Sequence, residues 1–293
     1  MLNIDQLTME EFKEFPLVIE GESKEVRYAG DGLVVIRLKP TIYSFTANRC
    51  GVVEGSDILR LRATKIFLEI MRSAGIAHAY QGVNDRWILS RLVLQPATAS
   101  NPNPFRPGDL SEDRIKLLPI AQPIETVVKR MHSGTSKHRY FGMCGHRARA
   151  SHPFYAGMEI SADGAYPSAI VRFDWRNPLT NASGKQLADE ILPEPIADWF
   201  IDIRKATQTA LKIYEALSEF LGAHDIVCYD LCLFIAEDGE TVFGEISQDC
   251  GRFRHFDLGS LDKDVWRAGG SSQQVLEKWQ TLLDLITPKG VVK

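Results

Sequence analysis

The pattern of apolar and polar positions alternates between a strand period and a helix period along the chain. In the first third, "PLVIEG", "KEVRYAG" and "LVVIRLKP" are short β-branched runs separated by Gly21, Gly30, Gly32 and Pro40, which predicts an antiparallel sheet. Ile58, Leu59, Ile66, Phe67 and Ile70 then recur at helical spacing through "DILRLRATKIFLEIMRSAG", with Ser56 or Asp57 as the cap and Gly75 as the stop. "RWILSRLVLQ" returns to strand, and the Pro- and Asn-rich segment from Pro96 to Gly108 reads as a surface insertion or linker. "PIETVVKR" opens another strand. A long helix is expected from about Ala197 to Leu221, with Trp199, Phe200, Ile203, Tyr214 and Leu217 on its buried side and Gly222 at its end. "DIVCYDLCLFIAEDGETVFGEIS" reads as two strands around an Asp238-Gly239 hairpin, and "SSQQVLEKWQTLLDLITP" as a C-terminal helix.

The predicted hairpin carries acids. If Asp238 and Gly239 form the turn, position 237 pairs with 240, so Cys232 lies opposite Glu245, Asp230 opposite Ser247, and Cys228 opposite Asp249. Asp230, Cys232, Glu245, Ser247 and Asp249 then share one face. Acids inside apolar strands are costly unless paired or coordinated, which makes this face a candidate metal or phosphate site. A solvated polar face is the plain alternative. "FGEISQDCGRFRHFD" adds Arg252 and Arg254 just beyond it.

A second cluster is basic. No acidic residue falls between Glu125 and Glu159, whereas Lys129, Arg130, Lys137, Arg139, Arg147, Arg149 and the histidines at 132, 138, 146 and 152 do. "KRMHSGTSKHRYFG" joins fixed charge to Gly134 and short hydroxyl donors, which suits a phosphate monoester; a solvated basic loop is the alternative. The histidines lack a compact metal-ligand spacing.

Composition bounds the rest. The 293 residues fit one large domain or two lobes, and the formal net charge of −4 argues against nucleic acid as a partner. No run approaches the roughly 20 apolar residues that span a bilayer, and the acidic start "MLNIDQLTMEEFKEF" lacks the features of a secretory leader, so a cytoplasmic location is expected. Five cysteines without a C-x-x-C pair indicate neither a disulfide framework nor a zinc knuckle.

Read in order, several segments resemble the SAICAR synthase (phosphoribosylaminoimidazole-succinocarboxamide synthase) family. These are "EGESKEVRYAGDGLVVIRL", "IFLEIMRSAGIAH", "PIETVVKRMHSGTSKHR", "EISQDCGRFRHFD" and "LDKDVWR". The resemblance implies an α+β, two-lobed fold: an N-terminal antiparallel-sheet lobe over residues 1–121 and an ATP-grasp-like C-terminal lobe over 122–293. It implies an ATP- and magnesium-dependent ligase that joins an amino acid, aspartate or an analogue, to a carboxylated imidazole ribotide through an acyl phosphate. Carried over by position, ribotide contacts fall on Lys129, Thr135, Arg139, Lys263 and Arg252 or Arg254, nucleotide contacts on Lys24 and Glu245, metal ligands on Glu245 and Asp230, and catalytic roles on Asp249 and Asp230. Removing Arg252 and Arg254 together is expected to abolish ribotide binding with the fold intact.

The chain departs from the family pattern on the ATP side. Glu22 replaces a lysine, Phe234 and Gly244 stand where the family has acids, and the family's asparagine pair falls near Arg60 and Leu61. Two alternatives therefore stand beside ligation: a homologue recruited to nucleoside-antibiotic synthesis, with altered or absent ATP use, and an inactive nucleotide-binding regulator. The assembly state, a homo-oligomer included, stays open.

Overall fold

The structure, a computed structural model, describes residues 2–44, 49–98, 101–132, 143–153, 155–160, 164–176 and 189–287. In chain order the elements are α1 (Met9–Glu14), β1 (Leu17–Glu20), β2 (Lys24–Gly30), β3 (Leu33–Leu38), β4 (Thr41–Ser44), β5 (Arg49–Val52), α2 (Ser56–Ser73), β6 (Tyr80–Val83), β7 (Ile88–Arg91) and α3 (Glu112–Ile115). There follow β8 (Ile124–Met131), β9 (Ala165–Trp175), β10 (Glu190–Leu192), α4 (Glu194–Ala197), α5 (Ile203–Gly222), β11 (Ile226–Ile235), β12 (Val242–Phe243), β13 (Gly251–His255), β14 (Gly259–Ser260), α6 (Asp264–Arg267) and α7 (Ser272–Ile286).

The β-branched runs of the first third form an antiparallel sheet in the order β1-β2-β3-β7-β6. Its period-two pattern divides the apolar side chains between two cores. Val34 and Ile36 join the main cluster, whereas Val35 joins Phe12, Trp87 and Leu89 on the opposite face. A second antiparallel sheet runs β10-β9-β8-β11-β13-β14, with β12 paired to β11. Helix α5 covers β11, β8 and β9, and α2 packs on α5 and α7, so the main cluster runs continuously from Val26 to Leu231 and Phe253. Among the described residues, no helix is long and apolar enough to cross a membrane.

Local signals decide most helix ends. Ser271 and Gln274 form a reciprocal capping box at α7. Two sequence expectations are corrected. Neither Ser56 nor Asp57 caps α2: the N-cap is Gly55 at φ 89°, with no side-chain capping bond. The long helix begins at Ile203 rather than Ala197, because the Asp202 carboxylate accepts the Lys205 N–H at 3.0 Å and supplies the cap there. Trp199 lies in the preceding turn and is 75% exposed.

The 238–239 turn forms, in a longer loop than two residues. Ala236 N–H donates to the Thr241 carbonyl at 2.9 Å, and the Asp238 carboxylate accepts the Glu240 and Thr241 N–H groups at 2.8 Å each. Gly239 sits at φ 72°, where a Cβ would lie 2.6 Å from the Asp202 carbonyl oxygen and 2.7 Å from Lys205 Cβ. Gly239→Ala is therefore expected to destabilise the protein by about 2 kcal/mol or more through combined strain and clash, read as a lowered denaturant midpoint. An unchanged midpoint would remove this turn from the folded state.

Candidate functional site

The hairpin register holds only next to its turn. Phe234 pairs with Phe243 and Ile235 with Val242, as the turn dictates. At Gly244 the backbone turns to φ 91°, and residues 244–250 leave the ladder. The chain returns as β13, so Asp230 pairs with Arg252 and Cys228 with Phe253. The predicted pairs Cys232 with Glu245, Asp230 with Ser247, and Cys228 with Asp249 do not form.

The corrected register builds a charged rung. Asp230 on β11 lies directly opposite Lys129 on β8 and Arg252 on β13. Arg252 Nη1 donates to Asp230 Oδ2 at 2.5 Å, and Lys129 Nζ lies 4.0 Å from the same oxygen. Lys129 is only 2% exposed, and burial pushes its ammonium pKa down to about 8 against the opposing pull of Asp230. Asp230 Oδ1 is buried with no hydrogen-bond partner among the described residues.

Two aspartates that sequence reasoning left without a role organise the arginines. In "LDKDVWR", Asp262 accepts Arg254 and the Phe253 N–H (2.8 Å), while Asp264 accepts Arg254 and Arg267 and lies 3.5 Å from Arg252. Asp262 is fully buried, and desolvation raises its pKa even though Arg254 opposes it. Desolvation also pushes Asp264 upward, but Arg252, Arg267 and Arg254 together hold it low. Lys263 Nζ sits 3.1 Å from Asp249 Oδ1. Arg254 also donates to Ser260 and the Phe253 carbonyl, so its guanidinium is largely committed to the protein, whereas Arg252 is held, among the described residues, by Asp230 and Asp264. The expectation that both arginines could be removed with the fold intact is therefore wrong. Arg254 is the counter-ion of a buried carboxylate.

At the junction of the two sheets, Glu245 is occupied. Arg60, 1% exposed on α2, donates Nε to Glu245 Oε1 at 2.7 Å and Nη2 to Oε2, and the Ser247 hydroxyl donates to Oε1 as well. Arg60 Nη1 donates to the Lys39 carbonyl at 3.0 Å. Burial alone would lower the guanidinium pKa, and the Glu245 charge and hydrogen bonds reverse that. The sequence held a signal for this residue: Arg60 shares a helical stripe with Thr64, Phe67 and Met71, all buried. A charge on such a stripe demands a partner.

Lys24 at the start of β2 does approach this junction. Its ammonium lies 5.5 Å from the Phe234 ring centroid, and Arg176 lies 5.8 Å from the same centroid. Arg176 is paired with Glu125 at 3.3 Å and Asp189 at 3.6 Å. In the 244–250 loop the fully buried Gln248 has neither amide atom hydrogen-bonded.

Magnesium does not fit these residues. Both Glu245 oxygens are filled by Arg60, and Asp230 lies between Arg252 and Lys129. A side chain at 244 would need positive φ and would place its Cβ 3.1 Å from Phe234 Cδ2. Among the described residues, no group of three or more His, Cys, Asp or Glu could hold a metal ion. Thr135 and Arg139 of the basic loop lie outside the described residues. His132, at the loop's start, hydrogen-bonds the Tyr166 hydroxyl at 2.9 Å and lies 3.3 Å from Cys144 Sγ.

No protein-family model matches the chain. In sequence it is similar to the bifunctional cordycepin biosynthesis cluster protein 3 of Cordyceps militaris, 27% identical over 320 aligned positions that cover 92% of this chain. The chain spans only about a third of that protein's length, 32%. It is also similar to the phosphoribosylaminoimidazole-succinocarboxamide synthase of Methanopyrus kandleri, 24% identical over 262 positions and 86% of each chain. Among solved structures, the synthase from Ehrlichia chaffeensis superposes at TM-score 0.67 with 18% identity, covering 92% of this chain and 98% of that one. A SAICAR synthetase in complex with ADP superposes at 0.65 with 22% identity, covering 94% and 98%. The chain has the SAICAR synthase fold and is similar in sequence to SAICAR synthases over most of its length.

Proposed function

We propose that this chain is an enzyme acting on a phosphorylated imidazole-type ribotide, recruited to the assembly of a nucleoside analogue. Lys129 and Arg252 hold the ribotide phosphate, with Lys263 and, by the resemblance, Thr135 and Arg139 as further contacts. Asp230 and Asp249 position those cations and the reacting group. The observation that carries this reading is the Lys129–Asp230–Arg252 rung. Its two cations converge on one carboxylate, which fixes positive charge at one place in the sheet for a phosphate to complete. The wider cluster of Lys129, Arg252, Arg254, Lys263 and Arg267 against Asp230, Asp249, Asp262 and Asp264 leaves one positive charge in excess, five less four. The similarity to a cordycepin cluster protein supports the pathway class. The lobes divide near residue 121, with Lys24 reaching from the first to the second.

A second reading is ligation itself: ATP phosphorylates the ribotide carboxylate and aspartate or a related amine attacks the acyl phosphate. Near-full-length similarity to the Methanopyrus enzyme favours it. The Arg60–Glu245 pair counts against it.

Isothermal titration with a carboxylated imidazole ribotide tests the proposal. A phosphate monoester keeps its second negative charge above about pH 6. Affinity is therefore expected to hold up to about pH 8 and to fall as pH rises through it, as the Lys129 ammonium is lost. No binding at neutral pH, or affinity that ignores pH across that range, would remove Lys129 from the phosphate site.

A further inference from the structure

We infer that Lys24, where it approaches Phe234 and the Arg60–Glu245 pair, takes a phosphate-bearing ligand without a divalent cation, the Arg60 guanidinium occupying the role a metal would fill beside Glu245. The inference rests on the reading above only in assuming that a ligand reaches Lys24.

Three observations converge on it. First, Glu245 is sealed by a bidentate guanidinium and a hydroxyl, in a buried setting. Displacing Arg60 to admit a metal would strand a buried cation among α2 and the Lys39 and Thr41 carbonyls, which are its other partners. Second, Phe234 and Gly244 exclude acids together. The ring fills the space beside residue 244, and the backbone there is in the left-handed region. A metal ligand at 244 is thus blocked by the ring at 234, and Phe234 itself supplies no ligand.

Third, Lys24 is a half-buried cation that, among the described residues, has no hydrogen bond or ion pair, only the face of Phe234. Such a group is unfavourable unless an anion completes it. Burial lowers its pKa, Glu245 and then Cys250 raise it again in part, and Arg176 and Arg60 lower it by less. Glu245, the acid that acts most on Lys24, is already committed to Arg60. A bare phosphate satisfies this arrangement. A magnesium–phosphate complex brings a cation for which Glu245, Phe234 and Gly244 offer no free carboxylate.

The test uses the full chain and binding readouts. AMP and ADP are titrated with EDTA and again with excess magnesium, and Mn²⁺ alone is titrated by electron paramagnetic resonance. AMP affinity is expected to differ less than about twofold between EDTA and magnesium, ADP affinity to be equal or lower in magnesium, which withdraws ADP as its complex, and no Mn²⁺ to be taken up by the protein. Lys24→Met, which keeps the aliphatic stem, is expected to weaken AMP and ADP binding at least about tenfold while leaving the thermal midpoint equal or higher, since the unpaired charge is gone. Nucleotide binding that requires magnesium, saturable Mn²⁺ binding, absence of any AMP or ADP binding, or full affinity in Lys24→Met would each overturn the inference. Carboxylated ribotide is titrated in parallel. Its failure to bind while EDTA-indifferent nucleotide binding persists would sink the proposed substrate and leave this inference standing.

Discussion

Arg60→Leu is expected to lose about 3–5 kcal/mol of stability, while Arg60→Leu combined with Glu245→Leu recovers most of it. The single change leaves Glu245 buried with only Ser247 as a side-chain donor. It also strips the Lys39 and Thr41 carbonyls of Arg60 Nη1. The double change removes both charges and leaves apolar side chains of comparable length on and against the buried stripe of α2. The residual deficit comes from the Ser247 hydroxyl, about 1–3 kcal/mol if it finds no new acceptor. Denaturant unfolding of the two single variants and the double variant yields the coupling energy directly. A single-variant loss under about 1 kcal/mol, the range of an exposed ion pair, would mean that Arg60 and Glu245 are not paired in the buried manner described.

Arg254→Ala carries the second large effect, and pH gives it a signature. Asp262 is fully buried and, when Arg254 is removed, keeps the Asp264 N–H at 2.7 Å, the Phe253 N–H at 2.8 Å and the more distant Arg267, but no directly paired cation among the described residues. A loss of about 3–5 kcal/mol at neutral pH follows from stranding that carboxylate. Desolvation already raises the Asp262 pKa above the unfolded value near 3.9, and Arg254 is the largest influence opposing it. A carboxylate raised in the folded state binds protons more tightly there than when unfolded. Its favourable contribution is complete below the unfolded pKa and disappears as pH rises through the folded one. The variant's deficit relative to the parent chain should therefore shrink as pH falls from about 7 toward 4. Thermal or denaturant midpoints across that range measure it, and a deficit that is constant or grows in acid would show that Asp262 is not the stranded group. Arg252→Ala should behave differently: Lys129 remains beside Asp230, so the ribotide affinity suffers more than the fold.

These expectations differ from those drawn on the sequence because the counter-ions were invisible there. The motif "LDKDVWR" drew attention to Lys263, yet Asp262 and Asp264 on either side of it are the groups that hold Arg254, Arg252 and Arg267. "FGEISQDCGRFRHFD" was legible as a charged site, but not as a loop excised from a ladder. Extending the turn register through Gly244 placed Glu245 opposite Cys232. The structure instead hydrogen-bonds Cys232 N–H to the Cys250 carbonyl at 2.7 Å and sends Glu245 to α2.

The strands β2, β3, β8 and β11, the α7 capping box, the Gly239 turn and the order of the motifs were determined by the sequence itself, because each depends on residues within one or two turns of one another. Side-chain periodicity, caps and positive-φ glycines are local physics. Which strand lies beside β11 beyond Gly244, which carboxylate receives Arg60, and which ring lies against Lys24 were decided only by the tertiary structure. Those pairs join residues far apart in the chain: 185 positions separate Arg60 from Glu245. A buried charge must find an opposite charge within a few ångströms, and the chain's packing alone determines which one is there.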